Sequence, residues 1–140
     1  MLKKIDHIGI AVQDMDAALD IYGHVYGLKP IKREVLDEIE VEIAFIQLGE
    51  VLIELLAPTK PGIGSIGQFV EENGEGFHHM AYRVADIDRT LQHLRDSNIP
   101  LRDQKPRNGG DKSRIAFIEP TATLNVLTEL VERMGEVQEE

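Results

Sequence analysis

HIGIAVQDMDAAL at residues 7–19 and HMAYRVADIDRTL at residues 79–91 are two copies of one short pattern, 72 residues apart. Five of the thirteen aligned positions are identical: His7 with His79, Val12 with Val84, Asp14 with Asp86, Asp16 with Asp88 and Leu19 with Leu91. Alternation before each Asp suggests a strand that then runs into a helix. Asp14 and Asp86 stand at the change, where a carboxylate can accept hydrogen bonds from the N–H groups of the helix start. Chance could make two strand–cap–helix stretches alike, but it would not readily place a histidine at the head of both.

The later parts of the halves also correspond. VLIELLA at 51–57 and VLTELVE at 126–132 are β-prone runs, each with a carboxylate in the middle, Glu54 and Glu129. The offset here is 75, so the second half carries a few extra residues in a loop. The pattern predicts strand 5–12, helix 14–26, and strands at 30–36, 40–48 and 51–57. A short helix at 65–73 follows, then strand 78–84, helix 87–97, and strands at 99–104, 113–119 and 124–131. Each half reads β-α-β-β-β, in an α+β fold class. The expected organisation is one domain over 1–140. Its parts are a first module at 3–57, a linker with a short helix at 58–76, a second module at 77–132 and a frayed acidic tail at 133–140. Neither module alone has a comfortable core, so the two should pack together.

Composition narrows the function. The 140 residues include 25 Asp and Glu against 15 Lys and Arg, a net charge of -10, which argues against a nucleic-acid partner. There is no Cys, so disulfides, thiolate nucleophiles, Cys-ligated zinc and iron–sulfur clusters are excluded. MLKKIDHIGIAV has no long apolar stretch, and no run approaches the roughly 20 apolar residues that span a bilayer. No membrane partner and a cytoplasmic location are expected.

Four polar residues stand out in apolar strands. By alternation Ile5, His7, Gly9 and Ala11 share one face of the first strand, and Asp6, Ile8, Ile10 and Val12 the other. His79, Ala81 and Arg83 share a face in the second copy. A small residue beside each histidine leaves room for a bound atom. Glu54 and Glu129 need a cation or a hydrogen-bond partner, because burying a lone carboxylate is costly. Singly, each residue could be a hydrogen-bonded histidine or half of a salt bridge. Together, two imidazoles and two carboxylates at related positions suit a divalent metal with one or two open positions. His78 should point to the other face in a structural or supporting role, and His24 and His93 should be surface or packing residues. Glu42, in VEI, is either an exposed edge residue or an unligated carboxylate over the same cavity, where it could act as a general base.

With these stretches in view, the chain resembles the vicinal oxygen chelate superfamily, which includes glyoxalases, bleomycin resistance proteins and dioxygenases, over residues 3–132. Within it the methylmalonyl-CoA epimerases are most similar. IDHIGIAVQDMDAAL, VEIAFIQLGEVLIELLAP, GEGFHHMAYRVADID and the KPRNGGDKSRIAFIEP region carry the likeness. The resemblance implies paired βαβββ modules forming a cup-shaped mixed sheet around one divalent metal, usually in a homodimer. It implies His7, Glu54, His79 and Glu129 as ligands and Glu42 and Glu129 as catalytic carboxylates. Co2+ is the metal it points to, with Ni2+, Mn2+ and Zn2+ also compatible with such donors. The implied reaction inverts C2 of an acyl-CoA by proton removal and return through an enolate. Residues 102–114 carry a local charge of +3, so Arg107, Lys112 and Arg114 are candidates for the substrate phosphates, with Asn108-Gly109-Gly110 as a flexible turn of exposed N–H groups. A solvated loop is the alternative, and Lys3 with Lys4 a second basic patch. The chain departs from the family pattern where Glu119, Thr121 and Leu124-Asn125 replace a His, a Lys and small residues, which leaves open a related acyl-CoA as substrate. A glyoxalase acting on a glutathione hemithioacetal shares the two-His, two-Glu ligand set, and a metal-free binding or resistance protein shares the fold.

Overall fold

A computed structural model describes residues 1–137. The order is β1 (Leu2–Ala11), α1 (Met15–Tyr26), β2 (Lys32–Leu36), β3 (Val41–Leu48), β4 (Val51–Pro58), α2 (Gly64–Asn73), β5 (Gly76–Val84), α3 (Ile87–Asp96), β6 (Arg107–Asn108), β7 (Arg114–Ile118) and β8 (Thr128–Glu132). β-α-β-β-β therefore occurs twice, with α2 between, as the repeat predicts.

By packing, the chain divides into residues 8–78 and a second unit of residues 1–7 with 79–137. The division falls between residues 78 and 79. The head of β1 groups with the C-terminal half.

In the 8–78 unit, the Asp14 carboxylate accepts the Ala17 N–H at 3.0 Å and starts α1. Gly27, at φ 71°, stops it, since that left-handed conformation is cheap only without a Cβ. β2, β3 and β4 form an antiparallel ladder in which Phe45 opposes Glu54 and Ala44 opposes Leu55. Met15 and Ala18 of α1 pack with Ala44 and Ile46 of β3 and Leu55 and Ala57 of β4. Each large apolar side chain buried this way contributes roughly 1.5–3 kcal/mol.

In the other unit, β5 pairs parallel with β8, which pairs antiparallel with β7. Asp86 caps α3 by accepting the Arg89 N–H at 3.0 Å. Ile87, Leu91 and Leu94 of α3 then bury against Ala116, Ile118 and Leu130. Ala81, Glu129 and Phe117 stand in line across β5, β8 and β7.

Three sequence expectations need correction. The strand at 99–104 does not form. Only Leu101 bridges to Ile118, because the N–H groups of Arg102 and Asp103 both donate to the Phe117 carbonyl and the Asp103 carboxylate takes the Phe117 N–H. β8 starts at Thr128 rather than 124, since Leu124 and Asn125 turn at φ 56° and 65° and cannot be extended. Residues 133–137 do not fray: the Arg133 side chain and Val137 are buried, and Glu136 bonds Arg83. The last three residues of the expected tail lie outside the described ones. Among the described residues, no helix is long and apolar enough to cross a membrane.

Candidate metal centre

β1, β5 and β8 bring His7, His79 and Glu129 together in the 1–7/79–137 unit. The Nε2 atoms of His7 and His79 are 2.9 Å apart, and the rings meet edge to face at 89°. Glu129 lies with Oε1 3.1 Å from His7 Nε2 and Oε2 3.9 Å from His79 Nε2. All three residues are buried, and each offers a ligand atom within 4.8 Å of the others. Ala81, opposite Glu129 and two residues along from His79, is fully buried among Ile115, Phe117 and Val131. Phe117 closes one side, its ring 5.6 Å from that of His79, and Arg107 stacks over Phe117 with its guanidinium carbon 5.5 Å from the ring centre.

Burial alone would raise the Glu129 pKa. The charge of His79, the hydrogen bond with His7 and that ring's charge outweigh burial and hold the carboxyl below its usual range. Two imidazoles and an ionised carboxylate are nitrogen and oxygen donors of the kind that bind divalent first-row ions. The cluster is thus capable of chelating such an ion.

Asp6 was missed as a site residue. It is completely buried and takes the His7 Nδ1–H at 2.7 Å. Two guanidinium groups hold it in place: Arg83 Nε at 2.9 Å from Oδ1, and Arg133 Nη2 at 2.9 Å from Oδ2. Burial pushes its pKa up, but the hydrogen bonds from His7 and Arg133 and the charge of Arg133 bring it far below the ordinary carboxylate range. The signal was present in the sequence. An acid among Ile8, Ile10 and Val12 on an apolar face has the same need for partners as Glu54, but its partners come from 77 and 127 residues away.

The remaining candidates are placed as follows. Glu54 is buried on β4, in the 8–78 unit. Glu42 is half-buried on β3 of that unit, and its carboxylate is held by Arg33 Nε at 2.7 Å. Arg33 also bonds Asp16 through Nη1 at 2.9 Å. Arg33 was likewise missed. It lies diagonally across the β2–β3 ladder from Glu42, within reach of a long side chain. His78 packs edge-on against Phe69 of α2, in the structural role expected of it, and His24 and His93 are exposed on their helices.

The basic loop differs from expectation. Gly109 and Gly110 are buried, and the Gly109 N–H donates to the Ser113 carbonyl. A Cβ on Gly109 would lie 2.6 Å from Ser113 Oγ, so glycine is needed there for close packing rather than flexibility. Arg114 is engaged by Asp88 through both terminal nitrogens and by Glu132 at 3.2 Å. Lys112 is exposed at φ 57°, and Arg107 is partly exposed above Phe117.

Residues 6–117 match the family model described as Glyoxalase/Bleomycin resistance protein/Dioxygenase superfamily. The chain belongs to this superfamily. Members similar to it include Uncharacterized protein YqjC of Bacillus subtilis, 37% identical over 139 residues and matched over 99% of each chain. A variant of Streptomyces coelicolor methylmalonyl-CoA epimerase, solved with 2-nitronate-propionyl-CoA, is 36% identical with a TM-score of 0.90, covering 100% of this chain and 99% of that one. A methylmalonyl-CoA epimerase solved with methylmalonyl-CoA and NH4+ is also 36% identical, with a TM-score of 0.90 and all of both chains covered. At that likeness, the glyoxalase-type α+β fold expected from the sequence is the fold of this superfamily member.

Proposed function

We propose that the chain is a metal-dependent isomerase that inverts C2 of methylmalonyl-CoA. The observation that carries this reading is the buried convergence of His7, His79 and Glu129 in a chain so similar to an acyl-CoA-binding epimerase. His7, His79 and Glu129 would hold the ion, with Glu54 as the fourth ligand. Co2+ is the proposed ion, with Ni2+, Mn2+ and Zn2+ as alternatives. When bound, it supplies the positive charge that stabilises an oxyanion developing at the thioester.

The rest of the work falls to the chain. The C2 proton lies between a thioester and a carboxylate, and inversion needs its removal on one face and delivery on the other. Glu42 and Glu129 are assigned to those two roles, exchanged with reaction direction. Arg33 keeps the Glu42 carboxylate oriented. The low pKa of Glu129 keeps it deprotonated until a proton is transferred to it.

Arg107 and Lys112 are assigned to the coenzyme A phosphates. Arg114 is left out, because Asp88 and Glu132 already occupy its guanidinium. The active form is proposed to be a homodimer, which light scattering on a sizing column tests directly.

Deuterium incorporation at C2 of methylmalonyl-CoA in heavy water tests the reaction. Fast exchange with metal-loaded protein, lost on chelation and followed by inversion in a chiral assay, is expected. Exchange no faster than a protein-free blank, with metal verified in the protein, would overturn the proposal and redirect the search to other acyl thioesters.

A further inference from the structure

We infer that Asp6 is a positioning residue for His7, and that Arg133 and Arg83 lock it in place from the two ends of their shared unit. The inference rests on His7 being a metal ligand and names what makes it one. Arg83 and Arg133 both donate to the Asp6 oxygens, so Asp6 meets His7 as an acceptor and the 2.7 Å contact places a proton on His7 Nδ1. With Nδ1 engaged by Asp6, Nε2 is the His7 nitrogen left for an ion, and it faces His79 Nε2 at 2.9 Å and Glu129 Oε1 at 3.1 Å. A carboxylate accepting the far N–H of a ligating imidazole also fixes the ring plane and raises the basicity of the ligand nitrogen.

Asp6 can do this only if it does not rotate. A fully buried carboxylate with one partner would be costly and free to turn. Here Arg83 donates from Nε to Oδ1 at 2.9 Å, with Nη2 2.8 Å from the same oxygen. Arg133 reaches both oxygens, Oδ1 from Nε at 3.0 Å and Oδ2 from Nη2 at 2.9 Å. Each arginine is itself anchored elsewhere. Arg83 Nη1 bonds Glu136 at 2.7 Å, and Arg133 Nη1 bonds the Gly110 carbonyl at 3.2 Å. The second anchor has a functional corollary. Gly110 lies between Arg107 and Lys112, so one side chain ties the orientation of a metal ligand to the loop assigned to the substrate phosphates.

Two measurements test this. In protein labelled with nitrogen-15 at histidine, long-range proton–nitrogen NMR should show His7 as the Nδ1–H tautomer; an Nε2–H tautomer would overturn the inference without any mutation. Titration with Co2+ should then show affinity falling about 10–100-fold in Asp6→Asn, with a smaller fall in Arg133→Lys, which keeps the charge but loses the fork. If Asp6→Asn gives no cooperative melt, Arg133→Lys and the tautomer carry the test. His7→Ala separates the two readings. Lost Co2+ binding in His7→Ala beside wild-type affinity in Asp6→Asn overturns the role of Asp6 alone. Wild-type affinity in His7→Ala overturns the metal reading itself.

Discussion

His7 Nε2 and His79 Nε2 approach to 2.9 Å across 72 residues of chain. At that distance one ring donates and the other accepts, and Glu129 Oε1 lies 3.1 Å from the His7 nitrogen. Loss of one donor should leave a cluster too poor to hold an ion tightly. His79→Ala and Glu129→Gln are each expected to weaken Co2+ binding by at least about tenfold, read by calorimetric titration. Wild-type affinity in either variant would remove that residue from the ligand set.

Glu42 should separate chemistry from metal binding. Its carboxylate is fixed by Arg33 on β2 rather than by a donor of the metal cluster. Glu42→Gln is expected to retain its metal, measured by elemental analysis, and to lose about 10²–10⁴-fold in C2 exchange. Turnover at the wild-type rate would take Glu42 out of the mechanism.

Arg107 and Arg114 of the basic loop should behave differently. Arg107→Gln is expected to raise KM for the acyl-CoA with kcat little changed, and Lys112→Gln to do the same. Arg114→Gln should leave KM alone and lower the melting temperature slightly, since its two carboxylate partners hold it to α3 and β8. An unchanged KM in an Arg107→Gln, Lys112→Gln double variant would show that the phosphates bind elsewhere.

Glu136 gives a pH signature. Its hydrogen bond with Arg83 holds its pKa below the usual carboxylate value. A depressed folded-state pKa contributes stability that is present above the unfolded value of about 4.3 and is lost as pH falls through the folded value. The side chain is largely exposed, so solvent screening keeps the effect small. Melting curves of wild type and Glu136→Gln should differ most near neutral pH and converge in acid. A constant gap across that range would mean that Glu136 acts through packing instead.

What could be read from the sequence was whatever repeats. His7 with His79, and Asp14 with Asp86, marked the strand heads and helix caps in both halves, and the strand–helix boundaries followed. Alternation assigns a residue to a face but not to what lies opposite, so Asp6 was placed on an apolar face without its arginines. Local pattern also cannot tell whether a strand edge is available. Residues 99–104 are extended enough to bridge at Leu101, but the Phe117 carbonyl takes two N–H groups and no ladder grows. At Leu124-Asn125, two positive φ values interrupt a run whose composition favours extension.

Asp6 and Arg133 are 127 residues apart, and both are needed to complete one ion cluster. A ribosome adding roughly 5–20 residues per second would make the second about ten seconds after the first. During that interval the head of β1 waits for a partner not yet synthesised. The unit that holds His7, His79 and Glu129 is therefore the last to become possible. A chain released before Arg133 has no means of completing that ion cluster, so loss of the C-terminal segment should register as lost metal uptake.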